Sequence, residues 1–242
     1  MAVIAFGLLA GCGGKGVMSE YKPAGFLSDY SQLKPSPDGT GAQVYIKPGA
    51  DLKNYRKVLV DRIVVWYKDD ADYKGIDPTE LKALTDYFHE AIVKAMGNDY
   101  PVVNEPGPGV LRIRIAITEL VASKPMASVV VLVVPYATIA DLASSGASKG
   151  GMGSSPYVGD AAIEAEFRDS QTNDLLASYL ERRIGKKYDV DMSQGATAAV
   201  TKGFSSYGKA YTSWGYTKDA FDYWAKKLRK RFDEVHGTVA AK

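Results

Sequence analysis

Val110-Leu111-Arg112-Ile113-Arg114-Ile115-Ala116-Ile117-Thr118-Glu119-Leu120-Val121 is the stretch on which the fold turns. Leu111, Ile113, Ile115 and Ile117 recur at every second position with Arg112 and Arg114 between them, which is the period of a strand with one apolar face and one wet or paired face. Ile163-Glu164-Ala165-Glu166-Phe167-Arg168 repeats the alternation. A polar turn from Asp169 to Asp174 then leads into Leu175 to Ile184, so these segments predict a β-hairpin. If the strands are neighbours, Arg112 and Arg114 face Glu164 and Glu166 across the ladder, as charge pairing on a sheet surface.

Outward from this sheet, Val58 to Tyr67 is rich in β-branched and aromatic residues and predicts another strand. Asp77-Pro78-Thr79-Glu80 carries the signals of a helix start: a capping carboxylate, a proline suited to the first turn, and a glutamate at capping-box spacing. Leu81, Leu84, Phe88, Ile92 and Met96 follow on one face, and Gly97 stops the helix. A second amphipathic helix runs from Thr217 to Val235 with Phe221, Trp224, Leu228 and Phe232 on one side and Gly237 beyond. Two one-sided helices and a one-sided sheet bury their apolar faces by packing on each other. The expected fold is α+β: a single domain over residues 55–242, with a mixed, mostly antiparallel sheet and amphipathic helices packed mainly on one face. Residues 13–54 hold Gly, Pro, Ser and charges in loose order, including Lys34-Pro35-Ser36-Pro37-Asp38-Gly39. They predict a flexible tether, giving a segment 12–54 of lipidated cysteine and tether.

The chain has 242 residues, 46% hydrophobic and 24% charged, which is ordinary globular usage. Thirty basic against 28 acidic side chains leave a net charge of +2, which argues against a nucleic-acid partner. Cys12 is the only cysteine, so no internal disulfide forms. It closes the apolar run Met1 to Gly11, which is shorter than the roughly 20 residues that span a bilayer core. Leu9-Ala10-Gly11-Cys12 resembles the bacterial lipobox, in which the cysteine sulfur takes a diacylglyceryl group, the peptide before it is removed and the new amino group is acylated. Residues 1–11 are therefore read as a lipoprotein signal peptide. No Lys or Arg precedes the apolar run, so this signal is read as truncated at its start. Several acyl chains on one residue give a stable anchor, at about 0.8 kcal/mol per buried methylene. Gly13 stands where lipoproteins retained at the inner membrane carry Asp, so the expected location is the periplasmic face of the outer membrane.

Beyond these landmarks, several separated segments resemble the domain-of-unknown-function family 3313, lipoproteins of Gram-negative bacteria. They are Gly25-Phe26-Leu27-Ser28-Asp29-Tyr30; Tyr100-Pro101-Val102-Val103 with Pro106-Gly107-Pro108-Gly109; and the run from Gly159 to Thr172, while Phe221 and Trp224 to Leu228 fit the closing helix. Asn173 stands where glycine usually completes the turn, and Glu181 where aspartate is more usual. The resemblance implies a lipid anchor and an envelope location and brings no catalytic residues or cofactor.

Gly146-Ala147-Ser148-Lys149-Gly150 matches the nucleophile-elbow pattern, with Asp160 and His236 in a permissible order for a triad, but the glycine-rich stretch after it does not start a helix. His89 and His236 are the only imidazoles, each in or at the end of an amphipathic helix and far apart in sequence, so a two-His metal site is left open but has no support and none is assigned. Asp70 to Gly75 starts like a calcium loop, but Lys74 and Leu81 occupy ligand positions. No dinucleotide or phosphate loop occurs, so no cofactor is expected. The basic cluster Lys226, Lys227, Arg229, Lys230 and Arg231 is read as a solvated face, with anionic lipid or a partner as the alternative. Val129 to Val134, within Ala127 to Ala143, is read as a buried strand first and a partner-facing patch second. Tyr207, Tyr211, Trp214, Tyr216, Tyr223 and Trp224 gather near the carboxyl end and suit an interface or a core. The expectation is a non-enzymatic envelope lipoprotein, held to the membrane through Cys12, that binds an envelope protein partner or self-assembles. Two readings compete: a hydrolase using Ser148, and a glycan- or lipid-binding module, which requires a concave aromatic pocket.

Overall fold

A computed structural model describes residues 21–66, 76–122, 160–184 and 214–238. The signal segment, Cys12, the loop at 67–75, the apolar run at 129–134, Ser148, Tyr207 and Tyr211 all lie outside the described residues.

Seven strands form one mixed, mostly antiparallel sheet: β1 (Lys34–Pro35), β2 (Gln43–Ile46), β3 (Lys57–Val60), β4 (Val64–Val65), β5 (Val110–Val121), β6 (Asp160–Asp169) and β7 (Leu175–Ile184). Their order across the sheet is β1-β2-β7-β6-β5-β3, with β4 continuing the β3 edge along β5. Two helices, α1 (Pro78–Met96) and α2 (Gly215–His236), complete the α+β fold.

The hairpin expected from alternation is present as β6–β7. Its turn is closed by Asn173, which adopts a left-handed φ of 62°. Asparagine tolerates that region better than other non-glycine residues, which explains how the turn forms without the usual glycine. β5 pairs with β6 antiparallel, and a bulge between Ile117 and Glu119 places both Thr118 and Glu119 on the face away from the helices. On the helix side, Leu111, Ile113, Ile115, Ile117, Ile163 and Ala165 meet Leu84, Phe88, Ile92 and Met96 of α1 and Phe221, Trp224 and Phe232 of α2. Phe88 and Phe221 stack at 4.5 Å with their planes 7° apart, joining the two helices over the sheet. Complete burial of such a side chain contributes about 1.5–3 kcal/mol, so this layer carries most of the driving force.

Helix α1 begins where its sequence signals place it: the Asp77 carboxylate accepts from the Thr79 amide at 2.7 Å with Pro78 in the first turn, and Gly97 caps the end. Gly109, before β5, has a φ of 68°, and a Cβ there would come within 3.0 Å of the Asn54 carbonyl oxygen. Only glycine fits that approach.

Three expectations are corrected. Residues 21–54 are not a free tether. They supply β1, β2, a single helical turn (Leu52–Asn54) and a strap over the sheet in which Tyr21 and Leu27 are buried. Their turn-forming composition conceals this, because the strap is held by hydrogen bonds from its backbone and tyrosines rather than by a periodic apolar face. The predicted strand from Val58 to Tyr67 is instead two short strands, β3 and β4, both parallel to β5. Between them Asp61 turns its carboxylate to Arg112, which donates through Nε and Nη2 at 2.9 Å. The expected cross-strand charge pairs are only partly realised. Arg114 does reach Glu166 at 2.7 Å, but Arg112 is taken by Asp61, and Glu164 accepts instead from the strap.

Candidate functional site

Two polar clusters and one apolar cavity stand out against this frame. The first cluster lies on the face away from the helices, where Glu164 and Glu166 are both 0% exposed. A buried carboxylate is costly unless its lone pairs are filled. Glu164 accepts from the amides of Ala24 (2.7 Å) and Phe26 (3.1 Å) and from the hydroxyls of Tyr21 (3.1 Å) and Tyr30 (2.5 Å). Glu166 accepts from the Ser28 amide at 2.6 Å and from Arg114 and Arg168 at 2.7 and 2.9 Å. Tyr21 also bonds Thr118. Burial first, and then the adjoining carboxylate, push the Tyr21 and Tyr30 phenols well above their ordinary range, so both stay protonated as donors. Burial opposes ionisation of Glu166, but its bonds from Arg168 and Ser28 outweigh that and hold its carboxyl below the usual value.

The second cluster lies on the helix side, around Glu181, also 0% exposed. The Trp224 indole donates to it at 2.7 Å, Tyr179 bonds it through its hydroxyl, and Lys227 stands at 3.8 Å. Burial, followed by the Glu181 charge, raises the Tyr179 phenol far above its ordinary value. Lys227 in turn reaches Asp38 at 3.0 Å and Thr40 at 3.1 Å in the β1–β2 turn, and Arg231 reaches the same Asp38 at 3.3 Å.

Beside this cluster, between α2 and the strands from β2 to β5, lies a cavity of about 340 Å³. Ile113, Ile163, Phe167, Trp224 and Phe232 are among the side chains that wall it. Its wall also includes the exposed residues Pro37, Ile46 and Arg231, and there it opens to solvent between the β1–β2 turn and the second half of α2. Such a volume sits at the lower end of small-molecule pockets, about 300–1,000 Å³.

Of the residues singled out in the sequence, Trp224 lines this cavity, Tyr223 carries Arg183 over its ring at 3.6 Å, and Tyr216 is buried. Within the basic cluster, Lys227 belongs to the Glu181–Asp38 network, and Arg229 binds Asp99 at 2.7 Å and Asp233 at 2.8 Å. This face is therefore partnered rather than merely solvated, although Lys226 and Lys230 are exposed. Asp160 and His236 do not come together. Asp160 starts β6 opposite Val121 and binds Arg182 at 2.5 Å, whereas His236 packs on Tyr100 beside the start of β5. Those two ends of β5 are about 36 Å apart for a strand of twelve residues, so the triad order read from sequence is not assembled. The His236 Nδ1 donates to the Phe232 carbonyl at 2.8 Å. Among the described residues no group of three or more His, Cys, Asp or Glu side chains could hold a metal ion, and no helix is long and apolar enough to cross a membrane. Asp38 and Glu181 were not foreseen as site residues. Asp38 stands in a Pro/Ser/Gly turn that any exposed loop could carry, and no sequence signal marks it.

Among curated proteins the chain is similar to the uncharacterized lipoprotein YdcL of Escherichia coli strain K12, and equally to that of strain O157:H7. The identity is 29% over 118 residues, 48% of this chain and 52% of the relative. The chain thus spans about half the length of the curated relatives it matches. Among solved structures it aligns to the hypothetical protein CT253 from Chlamydia trachomatis at 10% identity with a TM-score of 0.35, covering 74% of this chain and 98% of that one. It aligns to the PelC dodecamer from Paraburkholderia phytofirmans at 12% identity with a TM-score of 0.32, covering 68% and 96%. Residues 22–210 match the family model described as protein of unknown function DUF3313, and a match over that much of the sequence makes this chain a member of that family.

Proposed function

We propose that this chain is a non-enzymatic binding module of the cell envelope, tethered by acylated Cys12 at the periplasmic face of the outer membrane, whose ligand is a small apolar molecule held between α2 and the sheet. The single observation that carries the binding role is the cavity of about 340 Å³ walled by aliphatic and aromatic side chains. Apolar ligands gain about 25 cal/mol for each Å² of apolar surface removed from water, so a compartment of this kind binds by burial, with a few polar groups setting orientation. The lipobox-like Leu9-Ala10-Gly11-Cys12, the Gly13 that follows and the lipoprotein names of the E. coli relatives support the anchor.

Saturable uptake of the neutral fluorophore phenylnaphthylamine by the purified full chain tests the compartment. Ala177 lines it from β7, so Ala177→Trp fills it and should abolish uptake with the circular dichroism spectrum retained. Uptake that survives the substitution, or no uptake by the wild type, would overturn the reading. Cell fractionation tests the anchor: Cys12→Ser should move the protein from the outer-membrane to the soluble fraction, and persistence in the membrane contradicts it. Ester turnover that disappears in Ser148→Ala would overturn the non-enzymatic part.

A further inference from the structure

We infer that the cavity takes the hydrocarbon chain of a long-chain fatty acid, that Lys227 and Arg231 receive its carboxylate at the mouth, and that Asp38 is a built-in competitor for those two cations. This deepens the proposed binding role and rests on it.

Charge and chemistry at the opening support the assignment. Lys227 and Arg231, one turn apart on α2, both line the cavity and both converge on one carboxylate, Asp38, at 3.0 and 3.3 Å. Asp38 is carried by the β1–β2 turn, where Ser36 and Pro37 also line the cavity, so this turn forms part of its rim. An anion thus already sits where the headgroup of a bound acyl chain would emerge. Burial disfavours its charge, but hydrogen bonds from Thr40 and Lys227 more than compensate and keep Asp38 ionised well below the usual carboxylate range. Thr40 accepts from Lys227 at 3.1 Å and helps fix this arrangement. Glu181 also faces Lys227, but from 3.8 Å, with its other oxygen 3.7 Å from Arg183, and Glu234 bonds Arg231 at 2.7 Å. These carboxylates hold the cations in place, and Asp38 alone is shared by both.

The apolar interior selects the chain. A single-chain amphiphile puts only hydrocarbon inside and leaves its charge at the rim, whereas a glycan would bring many hydroxyls with few partners to meet them, each an uncompensated polar group. The modest volume favours one chain over two. Arginine and lysine give charge-assisted hydrogen bonds to a carboxylate, and these are the strong ones. To enter, the ligand carboxylate displaces Asp38 from Lys227 and Arg231, and the β1–β2 turn moves off the mouth as it does.

Competition against phenylnaphthylamine measures the effect as the ratio of affinities for palmitate and its neutral counterpart, hexadecanol. In the wild type palmitate should bind more tightly than the alcohol. Arg231→Gln, and more strongly Lys227→Gln with Arg231→Gln, should lower that ratio about tenfold, the scale of a lost charge-assisted bond. Asp38→Asn should raise it severalfold by removing the competitor. Because the two substitutions act in opposite directions, general damage to the fold cannot reproduce the pattern. Equal binding of acid and alcohol by the wild type, or a ratio that falls in Asp38→Asn, would overturn the inference while leaving the apolar compartment intact. Failure of the wild type to take up the neutral fluorophore at all would overturn the compartment itself. Tighter binding of lysophosphatidylglycerol than of palmitate would replace the carboxylate by a phosphodiester and overturn the fatty-acid assignment.

Discussion

The two faces of the sheet are built from the same strands yet follow opposite rules. On the helix side, Leu111, Ile113, Ile115 and Ile117 of β5 and Ala161, Ile163 and Ala165 of β6 form one apolar core with α1 and α2. On the other side the intervening residues include Arg114, Glu164, Glu166 and Arg168, and the covering element is a strap of about ten residues running from Tyr21 to Tyr30. One face is sealed by area removed from water, the other by hydrogen bonds that fill carboxylate lone pairs beside a small apolar cluster of Tyr21, Leu27, Ala162 and Leu180. Apolar burial is spread over many contacts and tolerates small shifts. The polar seal depends on a few bonds at 2.5–3.1 Å, and each donor left without its acceptor carries the full cost of desolvation.

Substitution of a central residue on each face sharpens this contrast. Phe221→Ala removes a fully buried ring stacked on Phe88 and should lower global stability by about 3–5 kcal/mol in denaturant titration, with hydrogen exchange accelerated in both helices and the sheet. Glu164→Ala leaves the Ala24 and Phe26 amides and the Tyr30 hydroxyl without their acceptor, while Tyr21 keeps Thr118, and about 1–3 kcal/mol should be lost. Exchange should quicken first at the Ala24 and Phe26 amides while α2 stays protected, because the strap opens as a local unit. Equal acceleration of α2 and the strap in Glu164→Ala would erase the distinction between the faces.

Acid provides the third and smallest test. The folded Glu166 titrates below its ordinary 4.5, so its stabilisation is fully present above that value and is lost as pH falls through the lower folded value. Strap amides should therefore gain exchange rate more steeply than helix amides, after correction for intrinsic chemistry, as the solution is taken below about pH 4. Glu166→Gln should flatten that extra dependence. A strap insensitive to acid would mean that its seal is apolar after all.

The same contrast explains what could be read in advance. Strands β5, β6 and β7 and both helices were legible because burial against an apolar partner leaves a period of two or of 3.6 in the sequence. Asp77, Gly97 and Gly237 marked helix ends through local chemistry alone. The strap was not legible: Ala24, Phe26 and Ser28 are held through their backbone amides, which every residue but proline possesses, so no side-chain pattern records the contact. Alternation correctly placed Glu164 and Glu166 opposite the aliphatic residues, but burial beneath a distant segment depends on contacts 134 or more positions apart in the chain. The cavity was invisible for a related reason. Trp224, Phe232, Ile113 and Phe167 each look like ordinary core residues, and the space between them depends on how α2 sits over the sheet. Lys227 illustrates both limits, since it belonged to a basic run that looked like solvated surface, yet its ammonium lies between Asp38 and Glu181.

The strap also has a mechanical consequence. If Cys12 is the anchor, nine residue steps separate it from Tyr21, a reach of at most about 32 Å. A tug from the membrane would arrive at Tyr21, Ala24 and Phe26, and through them at Glu164 on β6, which lies between β5 and β7 in the middle of the sheet. Load would thus enter the protein at its best-supported strand rather than at a fraying edge, and the strap's few bonds would act as a fuse that gives way before the fold does.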